Sequence, residues 1–184
     1  MKRFFATILI SVSLLSVSVY GKRPKPESLD SDSLFLLGKQ AYISEDFRQS
    51  IRYLDYYVLN YPATAEIVEA QYYLASSYFK LERFQEASVE FEFCYKQFPG
   101  SEFAEEAHIR TAESIFEISE PYYKEQVLTL NAKKKAESFV NKYPNSEFAD
   151  DARRLLSRIA DKLARKELES AKLYFKFKEY EAAV

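Results

Sequence analysis

Three stretches of similar sequence recur along the chain: PATAEIVEA at residues 62–70, PGSEFAEEA at 99–107 and PNSEFADDA at 144–152. Each stretch begins with a proline, which disfavours helical backbone at the residue before it. Each therefore predicts the end of one helix and the start of the next. A helix boundary that returns at intervals of this size is typical of a helical repeat protein.

The residues after these prolines predict how the helices end and begin. Gly100 and Asn145 tolerate a left-handed turn, which commonly closes a helix. Small hydroxyl side chains then follow, and we expect them to cap the next helices: Thr64, Ser101 and Ser146. Acidic residues just inside complement the positive end of each helix dipole.

The second unit carries the residue pattern of a tetratricopeptide repeat in order: Leu74, Ala75, Tyr78, Phe84, Ala87, Phe91 and Cys94. The first unit follows it more loosely. The third unit has extra residues, which we expect around Ser119 to Gln126. The predicted fold class is all-α, a tetratricopeptide-repeat solenoid of antiparallel helix pairs over residues 31–184, with about four repeats.

The fourth unit differs from the others because no glycine or proline follows Pro144. Its apolar residues keep a helical period, which predicts one long helix from about 146 to 177. The repeat pattern resumes at Tyr174 and Tyr180, so we expect the last repeat to be truncated. Its end should then expose an apolar surface: Leu173, Tyr174, Phe175, Phe177 and Tyr180.

The first residues read as a targeting segment. Lys2 and Arg3 precede an apolar run, and small residues near Gly21 offer a cleavage site, so residues 1–21 are interpreted as a signal peptide. An uncleaved membrane anchor is the alternative. Residues 22–30, which include KRPKP, are interpreted as an extended linker ahead of the repeat domain.

The residue types that usually carry chemistry are scarce. His108 is the only histidine and falls at a packing position of the repeat, and Cys94, the only cysteine, falls at a small-residue contact. No phosphate-binding loop or nucleophile elbow is present. We therefore predict a protein that is not an enzyme, with no catalytic residues, no metal site and no cofactor.

The first helices of the repeats predict a peptide-binding groove. The repeat alignment places Phe35, Tyr72 and Ile109 at one groove position, and Tyr42, Phe79 and Phe116 two turns further on. Lys39 and Lys80 would form a cationic rim that favours a terminal carboxylate, with Glu69 and Glu106 nearby. The alternative is that these rings only pack between neighbouring repeats.

The net charge of −2 hides an uneven distribution. Acidic residues dominate between 27 and 151, and basic residues dominate from 152 to 178. We interpret part of this basic run as a docking surface for a protein partner or for lipid headgroups, on four residues: Arg154, Arg158, Lys162 and Arg165. A solvated helix face is the alternative, and an export signal argues against nucleic acid as the ligand.

The chain resembles the BamD family, the tetratricopeptide-repeat subunit of the outer-membrane β-barrel assembly machinery. The resemblance covers residues 31–184 and is most specific in KYPNSEFADDARRLLSRIADKLARKELESAKLYFKFKEYEAAV, residues 142–184. It implies a scaffold in the periplasm, associated with the outer membrane. Its first repeats would bind unfolded outer-membrane proteins, and its later repeats would dock on a BamA-like barrel assembly protein.

One feature departs from that family. Its members are typically lipidated on a cysteine directly after the signal sequence, and the stretch LSVSVYG at residues 15–21 contains none. The sequence therefore does not support the lipid anchor that the resemblance implies. Two other functions stay open: a different envelope repeat adaptor that coordinates cell-wall synthesis or division, and a repeat domain accessory to a catalytic domain.

Overall fold

The computed structural model describes residues 23–178, and this part of the chain contains seven α-helices and no strand. A short 3-10 helix at Pro26–Ser28 precedes them. The α-helices are α1 (Ser31–Ile43), α2 (Phe47–Asn60), α3 (Ile67–Lys80), α4 (Phe84–Gln97), α5 (Ala104–Glu117), α6 (Val127–Lys142) and α7 (Ala149–Lys176). The signal peptide predicted at residues 1–21 lies outside the described residues, as does Tyr180.

Consecutive helices pack against each other all along the chain, and α1 also contacts α3 while α5 contacts α7. The first helices of the repeats, α1, α3, α5 and α7, therefore form one layer, and the second helices, α2, α4 and α6, form the other. This arrangement confirms the predicted all-α solenoid of helix pairs.

Small residues let the two helices of each repeat approach closely. Gly38 of α1 is buried against α2, and a Cβ atom added there would lie 2.5 Å from Leu54 Cδ2. The equivalent residues Ala75 and Ala112 are fully buried, as is Cys94 in α4. The small-residue positions of the repeat pattern are thus the helix contacts, as predicted.

The predicted helix caps are wrong. Helices α3, α5 and α7 begin after Glu66, Phe103 and Phe148, without a side-chain cap. The hydroxyl residues lie further upstream, in a turn that leads into each helix. In that turn the first N–H group of the helix donates to the backbone carbonyl of the serine and not to its hydroxyl. Ala104 N–H donates to Ser101 O at 3.1 Å, and Ala149 N–H donates to Ser146 O at 3.0 Å.

The residues with left-handed backbone conformation are also different from those predicted. In the described part of the chain, positive φ occurs at Glu45 (60°), Glu82 (58°) and Lys178 (63°), and not at Gly100 or Asn145. Glu45 and Glu82 end the first helix of a repeat. Asp46 N–H donates to Ala41 O at 2.8 Å, and Arg83 N–H donates to Tyr78 O at 2.9 Å, as in a Schellman motif.

The predicted linker does not stand apart from the repeats over its described part. The hydroxyl of Tyr53 donates a hydrogen bond to Pro24 O at 3.2 Å, and Arg23 forms an ion pair with Asp46 at 3.0 Å. Pro26 is buried, and Leu29 packs on the core. The boundary predicted at residue 30 is therefore not a boundary in the packing.

The long helix predicted for the fourth unit is confirmed as α7, and its bounds are close to those predicted. Apolar surface is exposed at its end, at Leu173, Tyr174, Phe175 and Phe177. The extra residues of the third repeat form the connection between α5 and α6, also as predicted.

Candidate protein-binding face

The layer of first helices carries three open pockets that share residues. A pocket of about 170 Å³, which we call the middle pocket, lies between α1, α3 and α5. A second pocket of about 340 Å³, the α5–α7 pocket, lies between α5 and α7. Arg110 lines both. A third pocket, at the end of α1, shares Tyr42 and Lys80 with the first. Together they form a continuous track across the first helices, which we call the inner track.

Half of the residues that line the middle pocket are aromatic: Tyr42, Tyr72, Phe79 and Phe91. Tyr72 stacks on Phe103, with ring centroids 4.6 Å apart, and lies 6.1 Å from Phe91. Phe79 contacts Phe91 edge-on at 6.3 Å. The rings of the pocket are therefore packed by contacts within and between repeats.

A charged network forms the floor between the middle pocket and the α5–α7 pocket. The Tyr72 hydroxyl donates to Glu106 Oε2 at 2.5 Å, and Arg110 pairs with Glu106 at 3.3 Å and with Glu113 at 2.7 Å. The Arg110 guanidinium lies 5.8 Å from the Phe79 ring centroid. Burial and the bond to Glu106 raise the pKa of the Tyr72 phenol, so it remains a donor.

Five of the eight groove residues predicted from the sequence line the inner track: Tyr42, Tyr72, Phe79, Lys80 and Ile109. Phe35 and Lys39 lie to one side. The Lys39 ammonium is 2.6 Å from Glu69 and 5.7 Å from the Phe35 ring centroid, and the bond to Glu69 raises the pKa of Lys39. Phe116 lies at the other end, under basic side chains of α7.

The charged rim differs from the predicted one. Lys39 is already paired with Glu69, whereas Lys80 is exposed and has no carboxylate within ion-pair distance in the described part of the chain. Sequence reasoning missed Arg110, which lines both the middle pocket and the α5–α7 pocket. Its position four residues after Glu106 is the signal that could have found it.

The alternative interpretation of the rings also has support. Tyr72 stacks on a residue of the next repeat, and Tyr42 of α1 contacts Tyr73 of α3 with ring centroids 4.8 Å apart. These rings therefore pack between repeats, and they also line an open pocket. The two roles are compatible because one edge of each ring is packed while another faces the track.

The four residues predicted as a docking surface have contacts within the chain. Arg154 pairs with Asp151, and Arg158 pairs with Glu117 at 2.7 Å while covering the Phe116 ring at 4.8 Å. Lys162 Nζ donates to Ser119 Oγ at 2.6 Å, and the Arg165 guanidinium lies 4.2 Å from the Tyr122 ring centroid. Arg154 and Arg158 also line the α5–α7 pocket.

His108 and Cys94 are both packed in the interior. The His108 ring stacks on Tyr95 at 4.3 Å and meets the edge of Phe139 at 5.6 Å. Burial, together with Lys142 and Lys135, lowers the pKa of His108 to about 4. Burial raises the pKa of the Cys94 thiol to about 12. Both residues are therefore uncharged at neutral pH.

Within residues 23–178, no group of histidine, cysteine, aspartate and glutamate side chains is arranged to hold a metal ion. No helix in the same range has the length and hydropathy needed to cross a membrane.

The fold and this face define a helical repeat protein with an open track along its first helices. The protein family YfiO, described as an outer membrane lipoprotein, matches residues 27–184. The chain belongs to this family, which is of the BamD type that the sequence resembles. A comparison with curated proteins found no match.

Proposed function

We propose that this protein is a non-catalytic envelope scaffold for the assembly of outer-membrane β-barrel proteins. Its inner track would bind unfolded segments of the substrate, and α7 would dock on a BamA-like partner. The family match over residues 27–184 supports a place at the outer membrane. The observation that carries the binding role is the inner track, where aromatic rings lie beside one exposed cation without an ion-pair partner in the described part of the chain, Lys80.

The chemistry of the middle pocket suits a particular kind of segment. Its rings offer flat apolar surface to aromatic side chains, and Lys80 offers an ammonium without a competing carboxylate in the described part of the chain. An extended peptide with alternating aromatic residues and a free terminal carboxylate would use both features. The last strand of a β-barrel protein has this composition.

The single cysteine is buried in α4, so it is not an acceptor for a lipid chain in the folded domain. We also propose peripheral association with the outer membrane through protein partners.

The test is a titration of a labelled aromatic-rich peptide with a free carboxylate, and of its C-terminal amide, against wild type and Lys80→Gln. We expect the free acid to bind wild type more tightly than the amide does, by about three- to tenfold, the range of one charge-assisted contact. This preference should disappear in Lys80→Gln. Lys134→Gln, which changes an exposed lysine on α6, is the matched control.

Substitution of Lys80 tests the binding role more cleanly than substitution of the aromatic rings does. Tyr72 bonds to Glu106 and stacks on Phe103, so its replacement by alanine would disturb the packing as well as the pocket. Equal binding of acid and amide to wild type would rule out Lys80 as a carboxylate site. No binding of either peptide would remove the substrate role and favour the alternative envelope adaptor.

A further inference from the structure

The second half of α7 has no core of its own. The buried side chains of α7 all lie in its first half, at Ala149, Ala152, Leu155 and Ile159. From residue 160 onward no described residue of this helix is buried. Leu163 packs partly buried on the core, and polar contacts with the connection between α5 and α6, residues 118–126, hold this part of the helix as well. We call this connection the insert.

Four basic residues of α7 lie on one side of the helix: Arg158, Lys162, Arg165 and Lys166. Their spacing of four, seven and eight residues from the first aligns them, and we call them the cation stripe. Lys162 Nζ lies 2.6 Å from Ser119 Oγ and 3.3 Å from Ser119 O. Lys166 Nζ donates to Lys124 O at 2.9 Å, and Arg165 covers the Tyr122 ring.

The insert is a folded unit rather than a loose loop. The amide of Gln126 donates to Pro121 O at 2.8 Å, to Lys124 O at 3.0 Å and to Glu125 O at 3.2 Å. Its Oε1 accepts from Thr129 at 2.8 Å, which ties the insert to the start of α6. A change at the contact with α7 should therefore affect the insert as a whole.

The contacts of the insert leave the cation stripe short of negative charge. In residues 23–178 only Arg158 of the stripe pairs with a carboxylate, that of Glu117 at 2.7 Å. The other three rest on a hydroxyl, backbone carbonyls and a ring face. Burial lowers the pKa of Lys162, and the more distant Glu117 and Glu120 oppose that effect only in part. A carboxylate acceptor would add charge–charge attraction to the hydrogen bonds that these cations now make to neutral acceptors.

We propose that the insert is a latch over the cation stripe, and that an acidic protein segment which binds the stripe competes with it. This inference rests on the proposed docking role of α7 and specifies its partner surface as a run of carboxylates. Binding would exchange neutral acceptors for charged ones at Lys162, Arg165 and Lys166. The insert would then be released from α7, so docking at α7 would be reported at the connection between α5 and α6.

The first measurement needs no partner. Hydrogen exchange of residues 119–126 is followed by mass spectrometry in the full chain, in wild type, Ser119→Ala and Lys162→Met. Lys162→Met removes both hydrogen bonds to Ser119, and Ser119→Ala removes the hydroxyl that accepts from Lys162 and donates to Phe116 O. We expect about fivefold faster exchange in both variants, the net effect of about one hydrogen bond. Ser157→Ala, at an exposed serine of α7, should leave the exchange unchanged. Unchanged exchange in both test variants would overturn the latch.

The second measurement tests the competition with a labelled hexaglutamate peptide at low salt. We expect the peptide to accelerate exchange in the insert of wild type, whereas hexaglutamine has no effect. Lys162→Met should weaken binding because it removes a cation. Ser119→Ala should tighten it about threefold because it removes the hydroxyl that competes for Lys162 and keeps every cation of the stripe. A merely structural role of the contact would not produce these opposite signs. Lys172→Met, beyond the stripe, is the matched control.

The outcomes separate this inference from the proposed docking role. Peptide binding that is equally tight in wild type and Ser119→Ala, with no change of exchange in the insert, would retain α7 as a docking surface and overturn the latch. Absence of peptide binding, with the exchange effects intact, would overturn both the competition and the docking role.

Discussion

The hydroxyl of Tyr72 in the second repeat donates a 2.5 Å hydrogen bond to Glu106 in the third, and this bond joins the two repeats at the floor of the inner track. Glu106 is held from its other side by Arg110. Through Glu106, the bond thus links a ring of the middle pocket to Arg110, which the middle pocket shares with the α5–α7 pocket.

Replacing Tyr72 by phenylalanine removes this bond and keeps the ring stack on Phe103. We expect the free energy of unfolding to fall by about 1–2 kcal/mol, since a donor to a partly buried carboxylate is lost. Chemical denaturation measures it. Tyr123→Phe, at an exposed tyrosine, is the control, and an equal loss in both variants would show that the bond contributes nothing specific.

Gly38 and Gly100 form a matched pair for a test of the helix contact. Gly38→Ala places a Cβ atom against Leu54, and we expect a loss of about 1–3 kcal/mol because the buried α1–α2 contact cannot widen freely. Gly100→Ala meets no atom within 4 Å, and we expect no loss there. Thermal melts of the two variants compare them, and equal melting temperatures would contradict this account of the close approach.

His108 should make the stability fall in mild acid. Its pKa is lowered from 6.5 to about 4 in the folded chain, so the unfolded chain binds the proton more tightly. The stability that neutral His108 contributes is fully present above pH 6.5 and is lost as the pH falls from there towards 4. We expect a loss of about 1–3 kcal/mol over this range.

His108→Phe keeps a ring in contact with Tyr95 and Phe139 and removes the titrating group. Denaturation curves between pH 7 and pH 4 should therefore show a smaller decline than in wild type. The charged groups that face His108, namely Lys135, Lys142 and Glu92, remain in both proteins. An equal decline in both would assign the acid sensitivity to other groups.

Cys94 should be unreactive in the folded protein. Its side chain is fully buried and the pKa of its thiol is raised to about 12, so almost no thiolate is present at neutral pH. We expect an aromatic disulfide reagent to modify it only at the rate of unfolding. Rapid modification without denaturant would show that α4 opens locally.

Part of the site could be predicted from the sequence. Tyr42, Tyr72 and Phe79 were found by their position in the repeat, because residues at the same place on equivalent helices share one face. Arg110 was not found, since its role depends on the distance between α3, α5 and α7. The caps at Thr64, Ser101 and Ser146 were predicted wrongly because a turn held by backbone bonds precedes each helix.

The repeat architecture follows from local features of the sequence. The prolines at 62, 99 and 144 interrupt the helices through local sterics, and Gly38, Ala75 and Ala112 allow close helix contacts by their size alone. Which charges meet depends on the tertiary packing. Lys162 and Ser119 are far apart in the chain, and only the packing of α7 beside the insert brings an ammonium and a hydroxyl to 2.6 Å. Local propensity acts over a few residues, whereas a polar contact depends on the arrangement of whole helices.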